Sequence, residues 1–257
     1  MTLAAIPRTV HVEHCMGTVF TVDIRDPGVW DDAVHDVATW LHHVDAVFST
    51  YKPESDISRM QRGELRAAEA HPDVATVLDL CAELHATTGG YFTALPHGRL
   101  DATGLVKGWA IERASLLLRD RGSTNHAVNG GGDMQLGGTA APGRPWRVGI
   151  SDPHDRSRVL TVITGRDFAV ATSGIAERGR HIVDPFTGNA AATLAGVTVA
   201  GPSLTRADAY ATAAFVMGRH ALRWIDGLDG CAALLVSADG GIASSSAWHR
   251  RFGDDRA

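Results

Sequence analysis

Asp208 and Thr212 stand four positions apart in the run Ala207-Asp208-Ala209-Tyr210-Ala211-Thr212-Ala213-Ala214-Phe215-Val216-Met217-Gly218. The run has helix composition and ends at a glycine stop. As a helix it carries a carboxylate and a hydroxyl on one face, one turn apart. Both are hard oxygen ligands suited to magnesium or calcium. On their own they read more simply as an N-cap aspartate and a surface threonine.

Three other stretches hold residue types with chemical use. Asn129-Gly130-Gly131-Gly132-Asp133 allows close backbone approach to a ligand and can offer amide N–H groups to an anion. It also reads as a hairpin turn, and it is neither GxGxxG nor a P-loop. Asp101-Ala102-Thr103-Gly104-Leu105-Val106-Lys107-Gly108 puts a carboxylate, a glycine carbonyl and a lysine at a turn-to-helix junction. A helix N-terminus there favours phosphate, with Lys107 as a point charge. The plainer alternative is an Asp cap beside a surface lysine. The densest polar cluster joins Ala171-Thr172-Ser173-Gly174 to Arg180-His181-Ile182-Val183-Asp184-Pro185-Phe186-Thr187-Gly188. Of the 13 histidines, His181 is the candidate base. It opens a short apolar run, read as a strand, and neighbours Ser173 and Asp184. His42, His43, His85 and His220 read as helix-surface residues. Met16, before the first expected strand, and Tyr51, in a loop, are ordinary in isolation, although a loop tyrosine can stack on an aromatic ring.

These residues need elements to hold them. Alternation and β-branching predict a strand over 18–24, turned by Asp26-Pro27-Gly28. Helical spacing follows over 31–48, a short helix over 54–60, and a helix over 72–87 with Pro72 at its start and Gly89-Gly90 at its stop. Residues 91–100 read as a loop or short strand, and 106–121 as a helix. Short strands are expected over 126–128, 133–136, 146–150, 159–163, 167–171, 181–183 and 196–200. The helix over 207–218 continues into 220–225, and a last hairpin pairs 232–236 with 242–245 around Asp239-Gly240-Gly241. The polar tail 250–257 is expected to fray. Helices come first and strands cluster later, so the expectation is an α+β fold in which antiparallel sheets pack against helices as one domain over 1–257.

Composition narrows the function. The 257 residues are 44% hydrophobic and 21% charged, with 28 glycines, enough for one core of generous size. A net charge of -5 argues against a non-specific nucleic-acid binder. The three cysteines, Cys15, Cys81 and Cys231, form no CxxC pair, which fits a reducing compartment rather than a disulfide framework. Arg8, His11, Glu13 and His14 interrupt any signal-like apolar region, and no run of about 18 apolar residues exists to span a membrane. A cytoplasmic location is the expectation.

Taken together the stretches stop being independent. Met16-Gly17-Thr18-Val19-Phe20, then Ser49-Thr50-Tyr51-Lys52-Pro53-Glu54-Ser55-Asp56-Ile57-Ser58-Arg59, then Asp101 to Gly108 occur in order. Val128 to Asp133, Ala171 to Gly174, His181 to Gly188 and Ala207 to Gly218 follow. This series resembles the FAD:protein FMN transferases, the ApbE-type flavin transferases, over most of the chain. The resemblance implies an enzyme that binds FAD and Mg2+, cleaves the FAD pyrophosphate, moves FMN onto a Thr or Ser hydroxyl of an acceptor protein and releases AMP. It implies metal ligation by Asp208, Thr212 and the Gly104 carbonyl, and a catalytic role for His181; as a base near neutrality for the acceptor hydroxyl, His181 is expected to be oriented by Asp184. Positions implied to contact the flavin substrate are Met16, Tyr51, Tyr91, Phe92, Thr93, Asp101, Lys107 and Val183. Gly130, Gly131 and Ser173 line the same expected pocket. The chain departs from the family at Phe92-Thr93-Ala94, where Phe-Asp-Pro is usual, and in a shortened stretch before Asp101. Two alternatives share the site: an Mg-dependent FAD pyrophosphatase yielding FMN and AMP, and a non-catalytic FAD-binding protein.

Overall fold

The first strands form a hairpin. β1 (Thr9–Cys15) pairs antiparallel with β2 (Thr18–Ile24), and Cys15 faces Thr18 across Met16 and Gly17. Both turn residues have positive φ, 50° at Met16 and 68° at Gly17, so the turn twists with the strands it joins. A left-handed conformation is strained for methionine. β1 lies in a segment for which the sequence signalled no strand. It is an edge strand whose side chains alternate between half-buried and exposed, which dilutes the apolar pattern.

The structure is a computed structural model that describes residues 8–175 and 182–253. Helices α1 (Asp31–Phe48), α2 (Asp56–Gln61), α3 (Pro72–Thr87) and α4 (Thr103–Asp120) follow the hairpin. Then come β3 (His126–Gly130), β4 (Asp133–Gly137), β5 (Trp146–Ser151), β6 (Val159–Gly165), β7 (Phe168–Gly174) and β8 (Leu194–Gly201). The chain continues with α5 (Leu204–Met217), α6 (Ala221–Ile225), β9 (Ala232–Ser237), β10 (Ile242–Ser244) and α7 (Ser246–Phe252). Eight strands form one antiparallel sheet in the order β1-β2-β3-β4-β7-β8-β9-β10, and β5 and β6 pair separately. The expected α+β architecture is the observed one.

Each face of the sheet is covered. On one side Phe20, Val22, Val128, Ala169, Ala171, Val197 and Val199 pack with Val37 and Leu41 of α1, Leu105 and Ile111 of α4, and Leu204 and Phe215 of α5. On the other, Leu136, Phe168 and Val170 pack with Trp146, Val148 and Ile163 of the β5–β6 ribbon and Trp248 of α7. β8 is buried along its whole length, so it reads as a continuous apolar run without alternation.

Several boundaries differ from the expectation. α4 starts at Thr103 because the Asp101 carboxylate accepts the Thr103 amide at 2.9 Å. α5 starts at Leu204, behind the N-cap Ser203, whose hydroxyl accepts from the Arg206 amide. Asp208 is therefore inside the helix and is not its cap. Of the strand expected over 181–183, His181 lies outside the described residues, Ile182 has no regular structure and Val183 makes one isolated bridge to Ala190. Arg250, Arg251 and Phe252 belong to α7 rather than to a frayed tail, because Ser245 caps that helix and Trp248 anchors it in the core.

His126 is fully buried between the Ser115 hydroxyl at 2.7 Å and the Ser123 hydroxyl at 3.0 Å. Burial, with the nearby Arg119 charge, pushes its pKa down from 6.5 to about 4. The unfolded chain thus binds a proton here at a higher pH than the folded one. This contribution to stability is complete above about pH 6.5 and is lost as the pH falls towards 4. Denaturant unfolding of wild type and His126→Gln across that range checks this: the acid-side loss of stability becomes shallower in the variant. Equal slopes would remove His126 as the source.

Candidate active site

The site is built where α4, α5 and the β3–β4 hairpin meet. Gly108 lets the two helices touch. A Cβ placed there would lie 2.8 Å from both Asp208 Cβ and the Leu204 carbonyl oxygen. The Gly108 amide donates to Asp208 Oδ2 at 3.0 Å. Gly108 is one turn beyond Gly104, so the amide holding Asp208 is the one that faces the Gly104 carbonyl along the helix. Asp208, an expected metal ligand, is thereby held one helical turn from Gly104 of α4, another expected ligand. Gly104 is itself tight against Phe92, whose ring edge would be 3.4 Å from an added Cβ.

Lys107, next in sequence to Gly108, is half-buried and forms a direct ion pair with Asp133; its Nζ is also 3.7 Å from Asp208 Oδ2. It is therefore no surface lysine. Asp133 is buried at the start of β4, and its Oδ1 accepts the Thr172 amide of β7 at 2.9 Å. One lysine between two buried carboxylates leaves a net charge of about −1, with every member held by a second element. On the helix side of β7, Ser173 Oγ lies 3.3 Å from Thr212 Oγ1 of α5, while the Thr172 hydroxyl, on the opposite face, is 2.9 Å from that of its cross-strand neighbour Thr198. The glycine motif by itself assigns Asp133 no role, because its partners lie 26 and 39 residues away in the chain.

The triple glycine is a hairpin turn. Gly131 and Gly132 have φ of 60° and 96°, and Gly130 pairs with Asp133 around them. The Gly131 amide bonds the Val19 carbonyl at 3.3 Å, and the Gly132 amide bonds the Asn129 side chain at 3.1 Å. These amides are used within the fold, so they form no anion cradle here. Gly130 is required for another reason: a Cβ would lie 2.5 Å from the ring of Phe20, its cross-strand neighbour. Gly131 sits against Thr18, which places the Met16-Gly17 turn beside this one.

The remaining expected residues lie around this centre. Tyr91 stacks edge-on with Phe186 at 4.9 Å, which ties the loop after Val183 to the stretch before α4. Asp184 starts a tight turn there: its Oδ1 accepts the Phe186 amide at 2.9 Å, and its amide donates to the Asn189 carbonyl at 2.8 Å. His181 lies outside the described residues. The Phe92 amide and carbonyl bond the Thr88 hydroxyl at 3.0 Å and the His85 ring at 2.9 Å. Thr93 Oγ1 accepts the Leu95 amide, and Asp101 is occupied at the α4 N-terminus. Tyr51 is 91% exposed on its loop. Two polar residues of the α5 entrance were not singled out in the sequence. Glu112 accepts from Ser203 and from the Thr205 amide, and Gln135 accepts the Leu204 amide. No sequence pattern links them to a helix that starts some 70 to 90 residues later.

An eight-stranded antiparallel sheet with helices on one face, and a helix lysine paired to a strand aspartate, is a fold that has been solved before. The protein resembles the structure of Pseudomonas stutzeri flavinyl transferase ApbE with a TM-score of 0.84 and 22% identity, over 98% of this chain and 100% of the other. In sequence it is 27% identical over 267 residues to the FAD:protein FMN transferase of Vibrio cholerae, covering 80% of each chain. It is 28% identical over 156 residues to that of Salmonella typhimurium, where the match covers 57% of this chain but 45% of the relative. The ApbE family model matches residues 16–95 and 93–235, and the chain belongs to the ApbE family. Among the described residues no helix is long and apolar enough to cross a membrane.

Because α4 and α5 touch through Gly108, Gly108→Ala must push them apart. The expected cost is about 1–3 kcal/mol, the usual penalty for overpacking a tight contact. Equilibrium denaturation measures it; a neutral result would show that the helices are free to shift.

Proposed function

We propose that this chain transfers FMN from FAD to a Thr or Ser hydroxyl of an acceptor protein, with magnesium, and releases AMP. The observation that carries the reading is the Lys107–Asp133–Asp208 group, whose net negative charge adjoins Thr212 and the Gly104 turn. A divalent cation fits that balance, and the Asp208 carboxylate, Thr212 hydroxyl and Gly104 carbonyl are all hard oxygens of the type magnesium takes. These three residues would hold the ion. When bound, it supplies neutralisation of charge on the pyrophosphate. The names of the curated relatives support the same activity.

The chain's own groups then divide the work. Lys107, fixed by Asp133, shares the phosphate charge without having to be ordered during the reaction. Gly108 and Lys107 hold Asp208 in place. Met16, Tyr51, Tyr91, Phe92, Thr93, Asp101 and Val183 supply the flavin and adenine surroundings, with Ser173 at the pyrophosphate, while Gly130 and Gly131 shape the hairpin turn beside it. The Tyr91–Phe186 contact holds the Asp184 turn against the flavin side. His181, oriented by Asp184, takes the proton of the acceptor hydroxyl as its oxygen bonds to the FMN-side phosphorus. The bond from that phosphorus to the bridging oxygen breaks, and AMP leaves.

Asp208→Asn keeps an acceptor for the Gly108 amide while removing the charge. It should lower magnesium-dependent FMN transfer by about 100- to 1,000-fold, as loss of one electrostatic contact to developing charge does. Mass spectrometry of an acceptor peptide for added FMN reads this, alongside an unchanged melting temperature. Full activity would end the metal assignment. His181→Ala should slow transfer by about 10²–10⁴-fold with FAD binding retained. Incubation with FAD and magnesium but no acceptor separates the chemistries: fast release of FMN and AMP would mean hydrolysis, and turnover only with acceptor means transfer.

A further inference from the structure

A second group of ligating side chains lies outside that site. Among the described residues, His43, His71 and Asp73 are the group whose ligand atoms lie within 4.8 Å of one another in an arrangement able to hold a metal ion. We propose that they bind one zinc-class divalent transition ion, which joins α1 to the N-terminus of α3.

The geometry converges on one oxygen. His43 Nε2, on α1, is 2.9 Å from Asp73 Oδ2. His71 Nδ1, at the N-cap of α3, is 3.3 Å from the same atom. The two imidazole rings are 4.5 Å apart at their centroids. A tetrahedral zinc centre with bonds of about 2.0–2.2 Å sets neighbouring ligand atoms about 3.3–3.5 Å apart, so the observed spacings need only small adjustment.

The hydrogen bonding defines what an ion must displace. His71 Nδ1 accepts the Asp73 amide at 3.2 Å, so that nitrogen carries a lone pair and not a proton. Coordination takes that one lone pair away from the Asp73 amide, so the ion replaces the N-cap hydrogen bond with a bond beside Asp73 Oδ2, 3.3 Å away. Coordination also needs the Nε2 lone pair of His43, so the proton it shares with Asp73 passes to Nδ1 or to solvent. The side chains are 31%, 43% and 26% exposed for His43, His71 and Asp73, which leaves room for water as the fourth ligand. Two imidazoles and one carboxylate suit zinc, cobalt or nickel over the hard ions magnesium and calcium. The His71 amide is anchored by Asp56 Oδ2 at 2.7 Å, so the first residue of α2 is fastened to the same point. The nearby His11–Glu13–His42 chain lacks this convergence, since the two rings bond different Glu13 oxygens at 3.0 and 3.1 Å.

Untagged, chelator-stripped protein in saturating magnesium is titrated with Zn2+ by calorimetry, and with Co2+ by visible absorption. The expected result is one ion per chain, a cobalt band of low-coordinate type and a raised melting temperature. His43→Gln and His71→Asn should each weaken binding at least about tenfold, because even the loss of an outer partner costs 10–100-fold. His71→Asn keeps a strong N-cap, so folding is not at stake. His42→Gln should bind as wild type does. The proposal fails if wild type shows no saturable binding, if both ligand variants bind unchanged, or if His42→Gln alone abolishes it.

Discussion

The contact on which the candidate site depends is the closure of α4 onto α5 at Gly108. No Cβ fits between them, and the Gly108 amide spends its hydrogen bond on Asp208. That single approach places an internal carboxylate of one helix against the first turns of another. Lys107 follows, because the residue before Gly108 is already committed to the same crevice. A larger residue at position 108 would separate the helices and leave two buried carboxylates facing a gap. Buried charge is tolerated only when it is paired, so packing and electrostatics here are one constraint.

The sheet supplies the other half of that constraint. Asp133 is fixed by the hairpin turn that precedes it and by the Thr172 amide on the next strand. The turn, in turn, exists because Gly131 and Gly132 adopt positive φ and Gly130 leaves space for Phe20. Ser173 and Thr172 point from β7 towards Thr212 and Thr198 because β7 alternates between the helical core and the β5–β6 ribbon. The helices bring Lys107, Asp208 and Thr212, and the strands bring Asp133 and Ser173. Neither layer holds the group alone.

Around this rigid centre lie loops closed by small, local devices: an Asx turn at Asp184, the Tyr91–Phe186 ring pair, and the twisted Met16–Gly17 turn. Loops carried on a rigid scaffold are where binding surfaces usually sit, since they can vary without disturbing the core. The left-handed Met16 stands out because a side chain is kept where glycine would relieve strain. Its turn lies beside the triple-glycine hairpin, where Gly131 packs against Thr18.

Much was fixed by local sequence. The helices over 31–48 and 72–87 and the strand over 18–24 end where their periodicity ends, because caps, prolines and glycines act over a few residues. The spacing of Asp208 and Thr212 set them on one helical face whatever surrounded them. The edge strand β1 escaped notice because half of it faces solvent, and the expected strand around Val183 became a turn because Asp184 bonds its own loop. Only the tertiary structure decided that Lys107 meets Asp133 and Asp208, that Glu112 and Gln135 secure the start of α5, and that the triple glycine serves a turn and not an anion. These are pairings between residues dozens of positions apart. Local chemistry sets which groups a segment offers; which groups meet is settled when the sheet and helices close on each other and every buried charge has to find a partner.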